Sequence, residues 1–160
     1  MAKSKSNSAV LEIQYGALPY RFTDTGGIEI LLVTSRSRRR WILPKGLPVE
    51  GLEPSEAAAR EAFEEAGVRG TVRSEPIGRF TYDRRVDEDG RSISCEVAVY
   101  PLEVVRQHQI WPAVWQRETR WLAPGEAAAL IGDAGLKPLL QAFAAKMTAR
   151  RRPASRRTQA

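Results

Sequence analysis

Residues Gly46 to Val68, GLPVEGLEPSEAAAREAFEEAGV, put three carboxylates on one side of a single short helix. Glu61, Glu64 and Glu65 stand at i, i+3 and i+4, and 3.6 residues per turn projects them together. Like charges that close destabilise a helix unless a cation sits among them. Hard divalent ions want oxygen ligands, and Mg²⁺ is usually held by one or two carboxylates plus substrate phosphates. The spacing therefore predicts a metal site awaiting a phosphate ligand. A merely solvated acidic face is the competing reading, and the surroundings argue against it. Ala58, Ala62 and Ala66 recur every fourth residue, with Ala59 and Phe63 alongside, as an apolar stripe on the other side. Pro54 suits the first helical position and Gly67 the left-handed position past the end, although Glu53 is not a favoured N-cap.

The same segment resembles the Nudix box, G-x5-E-x7-R-E-U-x-E-E-x-G-U, where U is a bulky apolar residue. Gly46, Arg60, Glu61, Glu64, Glu65, Gly67 and Val68 fall in register. Leu52 stands where the first Glu belongs, with Glu53 immediately after it, and Ala62 is smaller than the usual apolar residue. The runs LLVTSR, WILPKG and RETRWLAPGEAAALI look like the diphosphoinositol polyphosphate phosphohydrolase-like branch of that superfamily. The resemblance covers roughly residues 9–147.

It implies an α/β fold, a Nudix-type α/β/α sandwich with a mixed β-sheet. It also implies a pyrophosphohydrolase that uses Mg²⁺ or Mn²⁺ to cleave a phosphoanhydride bond in a nucleoside diphosphate derivative or related polyphosphate. The chemistry accounts for the residue types. A polyphosphate repels hydroxide, so cations must neutralise it and lower the pKa of the attacking water. On this resemblance Glu61, Glu64 and Glu65 are metal ligands, the backbone carbonyl of Lys45 is a further one, and Arg60 pairs with Glu64 or with the loop. Glu53 or Glu50 would bend in to compensate for Leu52, or the site runs with fewer ligands. Glu96 is the candidate for a supplementary base or ligand, with Glu118 behind it; a plain solvent-facing glutamate is the alternative.

The net charge of +6 is concentrated at the ends. Eight of the 25 basic residues lie in residues 1–5 and 146–160, which contain no acid, so the body carries 17 basic against 19 acidic residues. Residues 1–8 and 148–160 have too few apolar side chains to pack and read as flexible basic tails around a domain at 9–147. Such arms touch nucleic acid in some proteins; a solvated end is the favoured reading here. No apolar run is long enough for a membrane span, and no signal segment opens the chain. The single cysteine, Cys95, precludes an internal disulfide framework and suits a reducing, cytoplasmic setting. The single histidine, His108, makes a histidine-based metal site or triad improbable.

Along the chain, Ala9–Thr23 reads as a strand or hairpin interrupted by Gly16 and Pro19, and Ile28–Thr34 as a strand buried on both faces. Trp41–Leu43 is a short extended segment. Gly70–Arg85 reads as one strand, Asp87–Gly90 as a hairpin turn and Ser92–Val105 as the return. Thr119–Leu122 completes the strands, and Pro124–Ile131 and Leu136–Arg150 are helical.

Arg36, Arg38, Arg39, Arg40, Lys45, Arg84 and Arg85 are positioned to ring a pocket and clamp a phosphate chain, or merely to solubilise their loops. A cationic mouth favours dinucleoside polyphosphates or inositol pyrophosphates. Trp41 and Trp121 read as core, whereas Ile110–Gln116, IWPAVWQ, reads as an exposed loop able to meet substrate or partner. Two alternatives stand beside a hydrolase of polyphosphorylated small molecules. One is an RNA 5′-pyrophosphohydrolase holding its strand with the tails. The other is a non-catalytic nucleotide-binding Nudix module, to which only Leu52 points. The sequence gives no indication of oligomeric state.

Overall fold

The computed structural model describes residues 11–36 and 40–159, the last nine by backbone alone. Arg38 and Arg39, and the N-terminal tail at 1–8, lie outside the described residues. The strands are β1 (Leu11–Phe22), β2 (Ile28–Thr34), β3 (Trp41–Ile42), β4 (Lys45–Gly46), β5 (Val68–Val72), β6 (Gly78–Arg85), β7 (Ser92–Gln107) and β8 (Thr119–Leu122). The helices are α1 (Pro54–Ala66), α2 (Pro124–Leu130) and α3 (Leu136–Gln159).

The eight strands form one mixed sheet in the order β3-β2-β1-β7-β5, with β4 also on β1, β6 also on β7, and β8 also on β2. The pairing of β1 with β7 is parallel, and the other pairings are antiparallel. Residue alternation along the central strands sorts side chains into two cores. Ile28, Ile30 and Leu32 of β2, with Val97 and Val99 of β7, face Leu136, Leu140, Phe143 and Met147 of α3. Leu31 and Val33, with Ala98, Tyr100 and Leu102, face Ala58, Ala62 and Ala66 of α1. The small Ala62 thus has a physical reason. An alanine-lined helix lies close on a sheet whose own side chains, Tyr100, Leu102 and Leu31, supply the bulk.

Three sequence expectations need correction. First, β1 is continuous through Gly16 and Pro19. Ala17 sends its N–H to the Pro44 carbonyl at 3.0 Å, away from β7. Pro19, two residues on, would send its own the same way, into the gap between β4 at Tyr15–Gly16 and β2 at Tyr20–Phe22. The missing N–H therefore breaks no ladder bond.

Second, Gly70–Arg85 is not one strand. Val68–Val72 pairs with the far half of β7 and Gly78–Arg85 with its near half. The chain crosses between them at Pro76, held by Arg73 N–H to Pro101 O at 3.1 Å and Ile77 N–H to Val99 O at 2.8 Å. Third, α3 runs on to Gln159, past the Arg150 end.

The opening between β1 and β2 positions the site. There β4 wedges in, pairing Lys45 with Gly16 and Gly46 with Tyr15, and delivers the chain toward α1.

Candidate active site

Helix α1 is delimited as its ends predict. Pro54 takes the first turn, and the Glu53 N–H donates to Glu56 Oε1 at 2.9 Å. Gly67 follows at φ 74°, its N–H donating to Phe63 O at 2.9 Å. Residues 108–118 wrap that end. His108 N–H donates to Gly67 O at 2.8 Å, Ala113 N–H to Glu64 O at 3.1 Å and Trp111 Nε1 to Glu65 O at 3.3 Å. These bonds take up orphan carbonyls of the last turn. Trp111 packs flat over Gly67, where any Cβ would strike the indole. Trp111 is therefore a structural cap rather than the free contact residue expected of IWPAVWQ. Trp115, in contrast, is 86% exposed.

Glu61 lies against the loop at Gly46, where an added Cβ would come within 2.5 Å of Glu61 Oε2. Gly46 is what lets a carboxylate sit at the mouth of the β4 loop. Glu65 points inward and is nearly buried. Burial pushes its carboxyl up to about 8, Arg117 opposes the shift, and the facing Glu61 adds to it. Glu61 is raised as well, chiefly by burial. Two carboxyls so placed resist carrying both negative charges, a cost that a cation among them would relieve. Glu64 is half-exposed and accepts from Arg60 Nε at 3.2 Å, the i,i+4 pairing expected from their spacing.

A cavity of about 270 Å³ is lined by Arg36, Glu61, Glu64, Glu65, Gln116 and Arg117, among others. Within it Glu65 Oε1 is buried without a hydrogen-bond partner. Among the described residues no three carboxylate, histidine or cysteine side chains are placed close enough together to hold a metal ion as they stand. The donor set nevertheless suits a hard divalent ion. It is all carboxylate oxygen, it holds an orphaned acceptor, and it is charge-frustrated enough to retain a proton.

Beside it lies a second cavity of about 530 Å³, lined by Ser35, Arg40, Lys45, Tyr82, Arg84 and Arg85 with Ile42 and Asp83. Lys45 lines it and interacts electrostatically with Glu65 of the acidic cavity. Its Nζ sits 5.0 Å from the Tyr82 ring centroid. Burial lowers its pKa, with Asp133 and Glu65 opposing the shift. Arg84 is committed to Glu12 through a fork of 3.1 and 2.9 Å. That fork belongs to a wall in which Tyr82 Oη donates to Gln14 Oε1 at 3.0 Å and the Cys95 thiol donates to Glu12 Oε1 at 3.3 Å. Cys95 is buried, as a small hydrophobe would be.

Arg36 thus joins the acidic cavity, and Arg40, Lys45, Arg84 and Arg85 the cationic one. Glu96 is half-buried on the α1 face of β7, two residues before Ala98. It stands one row beyond the Tyr15–Ala98 pair that neighbours β4. It is not among the residues lining the acidic cavity. Glu118 exchanges backbone and side-chain bonds with Thr34 through its own main chain. Glu53, at the helix start, lies eight residues and about 12 Å of helix rise from Glu61. Glu50 is exposed in the preceding turn.

Sequence reasoning passed over Arg117, whose side chain is only 12% exposed. Nothing in RETRW separates it from the other arginines, because its position depends on how residues 108–118 fold over α1. Gln14 and Glu12 were also missed, being ordinary alternating positions of β1.

The family model for the NUDIX domain matches residues 14–143. Over 143 residues the chain is 33% identical to Nudix hydrolase 21, chloroplastic, of Arabidopsis thaliana, covering 86% of this chain and 68% of that protein. The fold is shared with a C. elegans Ap4A hydrolase in a binary complex, at TM-score 0.63 and 24% identity, over 86% of this chain and 98% of the other. It is shared too with the E. coli dihydroneopterin triphosphate pyrophosphohydrolase, at TM-score 0.60 and 18% identity, over 84% and 95%.

Proposed function

Because the chain belongs to the Nudix family and is a hydrolase of phosphoanhydride bonds, we propose that it is a metal-dependent pyrophosphohydrolase of a polyphosphorylated small molecule. A dinucleoside polyphosphate or an inositol pyrophosphate-like compound is the substrate class. The observation that carries this reading is a pair of cavities of opposite charge whose residues interact. One is walled by Glu61, Glu64 and Glu65 and the other by Arg40, Lys45 and Arg85, and Lys45 of the second interacts electrostatically with Glu65 of the first. A phosphate chain has to be held at one point and attacked at another, and a cationic cleft beside a carboxylate trio provides both.

Bound Mg²⁺ or Mn²⁺ would neutralise the phosphate oxygens and lower the pKa of the attacking water. Glu61, Glu64 and Glu65 would hold it, with the Lys45 carbonyl at the loop mouth. Arg60 pairs with Glu64 and steadies that carboxylate. Arg40, Lys45 and Arg85 receive the remaining phosphates, while Arg84, anchored on Glu12, shapes the wall. One carboxylate of the trio takes the proton of the water, with Glu96 as the supplementary base on the same face. The C. elegans and E. coli proteins of like fold act, by name, on Ap4A and on a pterin triphosphate, and both names fit a site built for phosphate chains. A cytoplasmic location is the corresponding proposal, on the buried free thiol of Cys95. Among the described residues no helix is long and apolar enough to cross a membrane.

The test is phosphate or pyrophosphate release with Mg²⁺, with Mn²⁺ and with chelator, for the wild type and Glu64→Gln. The expected loss in Glu64→Gln is about a hundredfold, the upper range for disturbing a metal's carboxylate surroundings. Unchanged metal-dependent turnover in Glu64→Gln would place the site elsewhere.

A further inference from the structure

Arg117 enters the acidic cavity from the loop opposite α1, and its three nitrogens have three different fates. Nη1 donates to the Thr34 carbonyl at 3.0 Å. Nη2 lies 3.8 Å from Glu65 Oε2. Nε is buried and has no hydrogen-bond partner. The base of the side chain is fixed as firmly as its tip. Thr34 N–H donates to Glu118 O at 3.1 Å, Glu118 N–H donates to Thr34 Oγ1 at 2.9 Å, and Arg117 N–H donates to Ala113 O at 3.1 Å. The end of β2 therefore holds both the guanidinium tip and the main chain beside it.

A buried arginine in a cavity meant for a cation looks misplaced, since like charges repel. Its effect on Glu65 resolves the difficulty. Oε2 is the oxygen that faces Arg117, and Oε1 is the oxygen left buried and unpartnered. We propose that Arg117 is a positioning residue for Glu65: it takes one carboxylate oxygen so that the other is presented to the metal. Residues behind a ligating carboxylate commonly set its orientation, and their loss weakens metal binding tenfold to a hundredfold. The same contact ties the loop at 108–118 to the metal face, so the wrapping of α1 and the aim of Glu65 are one arrangement. The proposal rests on the assignment of Glu65 as a ligand, which Glu65→Gln tests separately.

The experiment is Mn²⁺ binding to the substrate-free protein, read as the free-ion signal in electron paramagnetic resonance, for wild type, Glu65→Gln, Arg117→Met and Arg117→Lys. The two explanations of Arg117 differ in sign. If it positions Glu65, Arg117→Met binds Mn²⁺ about tenfold or more weakly. Arg117→Lys then falls between, because the ammonium keeps the charge but not the planar fork. If Arg117 is only a neighbouring charge, removing it relieves repulsion and tightens Mn²⁺ binding. Equal or tighter binding in Arg117→Met overturns the proposal. Should Arg117→Met lose its folded circular dichroism, Arg117→Lys decides alone: weaker binding than wild type supports the proposal and unchanged binding overturns it. Normal Mn²⁺ binding in Glu65→Gln would instead remove the ligand assignment beneath it. In turnover, a positioning role lowers kcat at saturating substrate with KM near wild type, whereas a raised KM alone would mark a substrate contact and contradict it.

Discussion

Two single residues fix how the carboxylates meet their loop. Gly46 leaves room for Glu61, and even one methyl group there would force the carboxylate aside. Gly46→Ala is expected to keep its fold and lose about a hundredfold in kcat/KM, the scale on which an ångström of misplacement acts; steady-state kinetics beside circular dichroism check both halves. Glu65 makes a second prediction, in pH. Its carboxyl is raised from 4.5 to about 8 in the folded state. Its contribution to stability is thus complete below about pH 4.5 and is lost as pH rises through about 8. Metal-free wild type should lose Tm across that window relative to Glu65→Gln. Added Mg²⁺ should restore the wild type alone at the upper end, because the ion neutralises the carboxylate that has lost its proton. Parallel Tm curves for the two proteins would contradict this.

At the scale of elements, α1 and the loop that wraps it stand or fall together through Gly67. The position has φ 74° and the Trp111 indole directly over it. Gly67→Ala should therefore cost more than about 1 kcal/mol in urea unfolding, since neither the backbone nor the neighbour tolerates a side chain there. α1 is also the element most legible in the sequence. Pro54, Gly67, the alanine stripe and the Arg60–Glu64 spacing are local signals, and local signals survive folding. What could not be read depends on distant partners. Pro19 argues for a break in β1 until the gap between β4 and β2 is known. Likewise, nothing in Gly70–Arg85 shows that one β7 will serve two partners. Arg117 is the extreme case, one arginine in a basic chain whose meaning depends on Thr34, 83 residues away in sequence.

At the scale of the molecule, the net charge of +6 misdescribes the protein, because its body is slightly acidic and the proposed function uses an acidic and a cationic cavity side by side. Arg40 lines the cationic half. Arg40→Ala should raise KM for a phosphate-chain substrate about tenfold with a smaller change in kcat, the size of one charge-assisted contact. Rising ionic strength should raise the wild-type KM more than that of the variant, because screening acts on the contact only the wild type makes. The central claim is that this cleft hydrolyses a phosphoanhydride by way of a divalent ion. It is tested most directly by phosphate release from dinucleoside polyphosphates, nucleoside triphosphates, inositol pyrophosphates and 5′-triphosphate RNA, with Mg²⁺, with Mn²⁺ and with chelator. The account predicts chelator-sensitive turnover of a small phosphate-chain substrate that Glu64→Gln lowers about a hundredfold. Turnover that persists in chelator, or folded, metal-supplied protein that cleaves none of these small molecules, would contradict it.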